Sequence, residues 1–67
     1  MLILTQTKML VNIDHVVDIY VDNGDVLADL NDHSELLLGH YVNSSMCEEI
    51  IEKIGQSYGA ITTFKMP

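Results

Sequence analysis

Polar and apolar residues alternate along Val16–Asp22 and again along 25–31, with Asn23-Gly24 between the two runs. Alternation at period two marks a half-buried strand. Asn-Gly between two such runs predicts a hairpin with a type I′ turn, because both central residues then need φ > 0. A two-residue loop sets the register. Asp22 faces Asp25, Val21 faces Val26, Tyr20 faces Leu27, Ile19 faces Ala28, Asp18 faces Asp29 and Val17 faces Leu30. One face then carries Val17, Ile19, Val21, Val26, Ala28 and Leu30, a core set. The other carries Asp18, Asp22, Asp25 and Asp29 around Tyr20 and Leu27.

The same reading extends along the chain. Residues 2–5 and 9–13 form two short strands, joined at Gln6-Thr7-Lys8, and Asn12–His15 turns the chain into the hairpin. After the hairpin, a three-residue loop at Asp32–Ser34 sets Leu30 against Leu36 and Ala28 against Leu38, keeping the apolar side chains on the core face. It demands a left-handed residue near His33 or Ser34. The next strand is Glu35–Val42. Gly39 marks a bulge or a close approach, and Leu37 and Tyr41 point outward. His40 lies beside Val26 at the end of the core face.

A helix follows over about 45–58. Ser45 and Glu48 have capping-box spacing, and Glu48 and Glu49 fall in the first turn. Cys47, Ile50, Ile51, Ile54 and Tyr58 make its apolar stripe, and Gly59 lies past its end. Residues 60–64 are β-branched and aromatic enough for a last strand, paired at a sheet edge or with a neighbouring subunit. The predicted architecture is α+β: one domain over 1–67, a small curved antiparallel β-meander of four to six strands packed against one C-terminal α-helix.

Length and charge narrow the partners. A chain of 67 residues hides only about 60% of its unfolded surface and needs a staple. Cys47 stands alone, so no internal disulfide forms, and a reducing, cytoplasmic setting is expected. With 48% hydrophobic residues, association with another copy is the preferred staple. Ten acids face three lysines and no arginine, for a net charge of −7. That balance argues against direct nucleic-acid binding and against anionic membranes, and favours a basic protein as any electrostatically chosen partner. No apolar run approaches the length of a membrane span, and no cleavable signal is visible.

The order of motifs resembles a group of small proteins encoded by phages and prophages of Gram-positive bacteria. The likeness is carried by Thr5-Gln6, Lys8, the strand Met9–Ile13, the Asn23-Gly24 hairpin, Leu37-Leu38-Gly39-His40-Tyr41 and the helix Ser45–Ile54. It covers most of residues 1–54. Where similar chains carry Asp-Gly in the second turn, this one has Asp32-His33. The resemblance implies an accessory role in the host bacterial cytoplasm and brings no catalytic residues.

Chemistry-bearing residues are sparse. His15, His33 and His40 lack zinc-site spacing, Cys47 falls on the helix stripe, and neither a phosphate-binding glycine loop nor a Gly-x-Ser-x-Gly elbow occurs. No enzyme, cofactor or metal site is therefore expected. Asp18 opposite Asp29 is the sharpest feature, since like charges facing each other across a sheet destabilise it. A solvated outer face is the simplest account; a docking stripe is the functional one. Asp18, Tyr20, Asp22, Asp25, Leu27, Asp29, Leu37 and Tyr41 together form the expected interaction surface, an apolar centre with a polar rim. The expected function is a homo-oligomeric, non-enzymatic interaction module. The alternatives are an acidic, nucleic-acid-mimicking inhibitor of a host enzyme or defence factor, and a small oligomer holding a nucleotide between subunits.

Overall fold

The computed structural model describes all residues, 1–67. The elements are β1 (Leu2–Leu4), β2 (Leu10–Asn12), a 3-10 turn (Ile13–His15), β3 (Val16–Asp22), β4 (Asp25–Leu30), β5 (Glu35–His40), α1 (Ser44–Ser57) and β6 (Thr63–Lys65). The architecture is α+β, with every predicted strand present and the helix near the C-terminus. The strands divide into two three-stranded sheets, ordered β2-β1-β6 and β3-β4-β5. The single meander expected from the sequence breaks at Ile13–His15. There the Asn12 side chain accepts the Asp14 N–H and turns the chain away before β2 and β3 can pair. The last strand, β6, pairs in parallel with β1 of its own chain, starting three residues later than expected and ending one later.

The Asn23-Gly24 turn forms as predicted, with φ of 49° and 84°. Pairing from Asp22↔Asp25 out to Asp18↔Asp29 follows the predicted register. It then slips, so that Val16 and not Val17 faces Leu30. Val17 becomes the unpaired residue of a bulge and is 68% exposed, a correction to its placement in the core.

Both three-residue hairpins are closed in the same way. Thr5 N–H bonds Met9 O and Lys8 N–H bonds Thr5 O; Leu30 N–H bonds Ser34 O and His33 N–H bonds Leu30 O. The second loop is thus Asn31–His33, one residue earlier than Asp32–Ser34, and Ala28 faces Leu36 rather than Leu38. Lys8 and His33 take the left-handed position, at φ 72° and 70°. The Ser34 hydroxyl and N–H both bond the Asp32 carboxylate, brace this loop, and hold Asp32 below its ordinary pKa.

A second bulge, between Val26 and Leu27 in the β4–β5 pairing, moves Gly39 opposite Val26 and His40 opposite Asp25. Leu38 is the extra residue and is fully buried. Beyond it the inward and outward faces exchange. Tyr41 therefore turns inward, 6% exposed, and its hydroxyl donates to Pro67 O at 2.8 Å. Burial pushes its phenol above the ordinary pKa. Gly39 is the close approach foreseen: a Cβ there would lie 2.6 Å from the Tyr41 hydroxyl. His40 is correspondingly displaced from the core face to the outer one.

The core joins all three layers. Ile3 and Phe64 come from one sheet; Val26, Ala28 and Leu38 from the other; Cys47, Ile50 and Ile54 from α1. Each fully buried aliphatic side chain contributes roughly 1.5–3 kcal/mol. Gln6 ties the sheets at the edge of β5. Its N–H bonds Leu38 O and its side-chain oxygen accepts the His40 N–H, both at 2.8 Å. The helix begins one residue early. Asn43, not Ser45, is the cap, with its side chain accepting the Ser45 N–H at 2.9 Å, so Glu48 and Glu49 lie beyond the first turn. Tyr58 caps the C-terminal end and is exposed rather than on the stripe, and Gly59 follows at φ 82°.

An L-residue in the left-handed region costs about 1–2 kcal/mol, partly offset in glycine by its greater freedom when unfolded. His33→Gly is therefore expected to stabilise the fold by about 0.5–1 kcal/mol, read by thermal unfolding. Gly39→Ala should destabilise it by about 1–3 kcal/mol, because the buried Tyr41 ring must give way.

Candidate functional site

The outward face of β3-β4-β5 gathers most of the residues singled out in the sequence. Along β3 it carries Asp18, Tyr20 and Asp22; along β4, Asp25, Leu27 and Asp29; along β5, Glu35 and Leu37. The ladder sets Tyr20, Leu27 and Leu37 in one row across the three strands. Leu37 is 43% exposed, and Tyr20 and Leu27 are half-buried. Asp18, Asp29 and Glu35 make the next row, and Asp22 and Asp25 close the other end. Tyr41, expected here, is absent from the face for the reason given above.

Two residues join the face that the sequence reading did not place there. Glu35 accepts a hydrogen bond from the Tyr20 hydroxyl, diagonally across β4. His40 lies 2.6 Å from Asp25, Nδ1 to Oδ1. The period-two count from the second turn already put Glu35 on the side of Leu37, so its place was readable. His40 was not, because its side depends on the bulge.

Electrostatically the face is one-signed. His40–Asp25 is the only pairing of a basic group with a carboxylate in the molecule, and Lys8, Lys53 and Lys65 lie on other elements. Burial and the adjacent Asp18 carboxyl raise the pKa of Asp29, with Glu35 adding to the effect. Tyr20 is pushed up to about 12, first by its hydrogen bond to Glu35 and then by partial desolvation and the charges of Asp29, Glu35 and Asp18. The face can therefore offer several carboxylates at strand spacing around a small apolar row. It assembles no nucleophile with a base.

Elsewhere, Cys47 is fully buried with Sγ 3.5 Å from Gly24 O, as expected of a core thiol. No group of three or more His, Cys, Asp or Glu side chains is arranged to hold a metal ion. A groove of about 380 Å³ beside β2 is lined by Met9, Leu10, Val11, His15, Leu30 and Leu36, among others. No helix is long and apolar enough to cross a membrane. No family model, curated protein or solved structure matches the chain.

Because Asp29 binds its proton more tightly in the fold than in the open chain, this group favours folding in acid. That contribution fades as pH rises through its raised pKa. Asp18→Asn removes the opposing charge. It should raise the melting temperature at pH 7 by about 1–4 °C, and the gain should shrink as pH falls toward the ordinary carboxylate value of 3.8. Tyr20 acts at the other extreme. Above pH 10 the unfolded chain loses this proton first, so stability falls between about 10 and 12, and Tyr20→Phe should remove that part of the alkaline decline.

Proposed function

We propose that the protein is a non-enzymatic interaction module of the bacterial cytoplasm, of phage or prophage origin, that docks a basic partner protein on the outer face of β3-β4-β5. The observation that carries this reading is the pattern of the face: Asp18, Asp22, Asp25, Asp29 and Glu35 surround the row Tyr20, Leu27 and Leu37, with no lysine among them. Proteins tend to disperse like charges unless something is gained. Here the fold retains Asp18 opposite Asp29, with the pKa of Asp29 raised. A partner bearing lysine or arginine around an aliphatic centre would relieve that repulsion, cover Leu37 and gain speed of encounter from the net charge of −7. The same pattern suits an acidic inhibitor that occupies a basic groove.

A second copy of this chain fits the face poorly, since two such faces would bring like carboxylates together. Self-association, also expected from the small core, needs another surface. A nucleotide ligand gains no support from a face without cations.

The test uses a fluorescent peptide of alternating lysine and leucine, followed by anisotropy. Binding should weaken steeply as salt shortens the screening length from about 30 Å at 0.01 M to about 8 Å at 0.15 M. Asp→Asn at 18, 22, 25 and 29 together should abolish it. Glu→Gln at 48, 49 and 52, on the helix, should leave most of it. Tyr20→Ala should cost about tenfold in Kd with an unchanged salt slope, as expected for an apolar anchor. Equal losses from the sheet and helix variants would reduce the effect to net charge and refute a specific face.

A further inference from the structure

We propose that Asn23 is a site of spontaneous covalent modification, deamidation through a cyclic imide with Gly24, and that the folded turn holds this reaction back until the hairpin opens. This goes beyond the reading of the outer face and does not depend on it.

The step needs only this pair of residues and water. The backbone nitrogen of Gly24 gives up its proton and attacks Cγ of Asn23. The new N–Cγ bond closes an imide ring, the Cγ–Nδ2 bond breaks, and Nδ2 departs with that proton as ammonia. Water then opens the imide and returns a proton to the Gly24 nitrogen. Cleavage at Cγ leaves aspartate at position 23. Cleavage at the backbone carbonyl carbon leaves isoaspartate, whose main chain runs through Cβ and Cγ.

Among the four asparagines, the structure singles out Asn23. The side-chain oxygens of Asn12 and Asn43 accept the N–H groups of Asp14 and Ser45, and Asn31 Nδ2 lies 3.4 Å from His15 Nδ1. Ile13, Ser44 and Asp32 follow those three, and each has a side chain that crowds the attacking nitrogen. Asn23 is exposed, its side chain is outside these bonds, and the next residue has no Cβ. Water reaches both through a surface hollow of about 390 Å³ lined by Asn23, Gly24, His40 and Tyr41, among others.

The folded turn opposes the attack. At φ of 49° and 84° it is a type I′ turn, in which ψ of the first residue is about +30°. That ψ sets the Gly24 nitrogen nearly anti to Cβ of Asn23 across the Cα–C bond, whereas ring closure needs the two nearly eclipsed. The Gly24 peptide must therefore swing round, and it is fastened. Its oxygen accepts the Tyr41 N–H at 2.8 Å and the Cys47 thiol at 3.5 Å. On its other side a Cβ would lie 2.5 Å from Tyr41 O, so there is no slack there either. The swing breaks these bonds and the Asp22↔Asp25 pairing, so the reaction draws on the open hairpin alone.

The two products then part ways. Aspartate tolerates the left-handed conformation and keeps the length of the loop. Isoaspartate lengthens the main chain of a turn whose two residues set the register, so Asp22 and Asp25 no longer meet as before. An opening of this hairpin is thereby recorded permanently in the chain.

The test incubates the intact chain in neutral buffer, folded and in urea. Mass spectrometry of digests follows amide-to-acid conversion at each asparagine, with released ammonia as the check. In urea, Asn23 should convert well ahead of Asn12, Asn31 and Asn43. In the folded protein its rate should fall by about tenfold or more, and low urea should raise it in step with hydrogen exchange at the Tyr41 N–H. Asn23→Gly, which suits the same turn, should fold as the parent does and lose the fast conversion. The purified isoaspartyl form should melt below the parent, and Asn23→Asp should melt close to it. Equal rates in folded and unfolded chain, conversion concentrated at another asparagine, or an isoaspartyl form with unchanged melting would each overturn the proposal.

Discussion

The reversal at Asn23-Gly24 decides which side chains of the larger sheet are wet. Two residues at positive φ make the turn so tight that no slip is possible near it. Val21 and Val26 must then share one face, and Asp22 and Asp25 the other. Each further pair inherits that choice. The fully buried Val26 and Ala28, on which α1 and the smaller sheet close, are on the inside because of this turn. A shift of one residue would bury the aspartates and expose the valines, at a cost no domain of this size could meet.

The turn's authority ends at the bulges, and so did what could be read from the sequence. Strand existence, the helix, the register from Asp22 to Asp18, the left-handed residue in the second hairpin, the role of Gly39 and the burial of Cys47 were all legible. Each has a local cause. Val17, Tyr41 and His40 were misplaced because alternation was carried straight through positions where an extra residue resets the count. The bulge at Val17 has no unusual residue to mark it, and the one at Leu38 is flagged only by the neighbouring Gly39. The partition into two sheets was hidden for a related reason: a 3-10 turn braced by one asparagine outweighs the tendency of successive strands to pair.

Most of the candidate surface follows from the legible part. Seven of its eight expected members share the outward face because they lie on the near side of both bulges, and Tyr41 does not. Aspartates opposite one another then have two consequences. On the face they leave an unbalanced charge that a basic protein could neutralise. Along the edge of β3 they keep other strands away, a duty that charged residues perform on many sheets. The edge of β2 carries no such charges over Leu10–Asn12.

The parallel ladder of β1 with β6 has a bearing on how the chain comes to be folded. It binds residues 2–4 to residues 63–65, the most widely separated pairing in the molecule. Closing so long a loop is the slowest kind of step for a small domain. During synthesis the β3-β4-β5 hairpins can assemble as soon as they leave the ribosome, while β1 waits with one flank open until residues 63–65 emerge. In that interval the nascent chain depends on the hairpins and α1 alone, and the pairing of residues 63–65 with β1 then completes the smaller sheet.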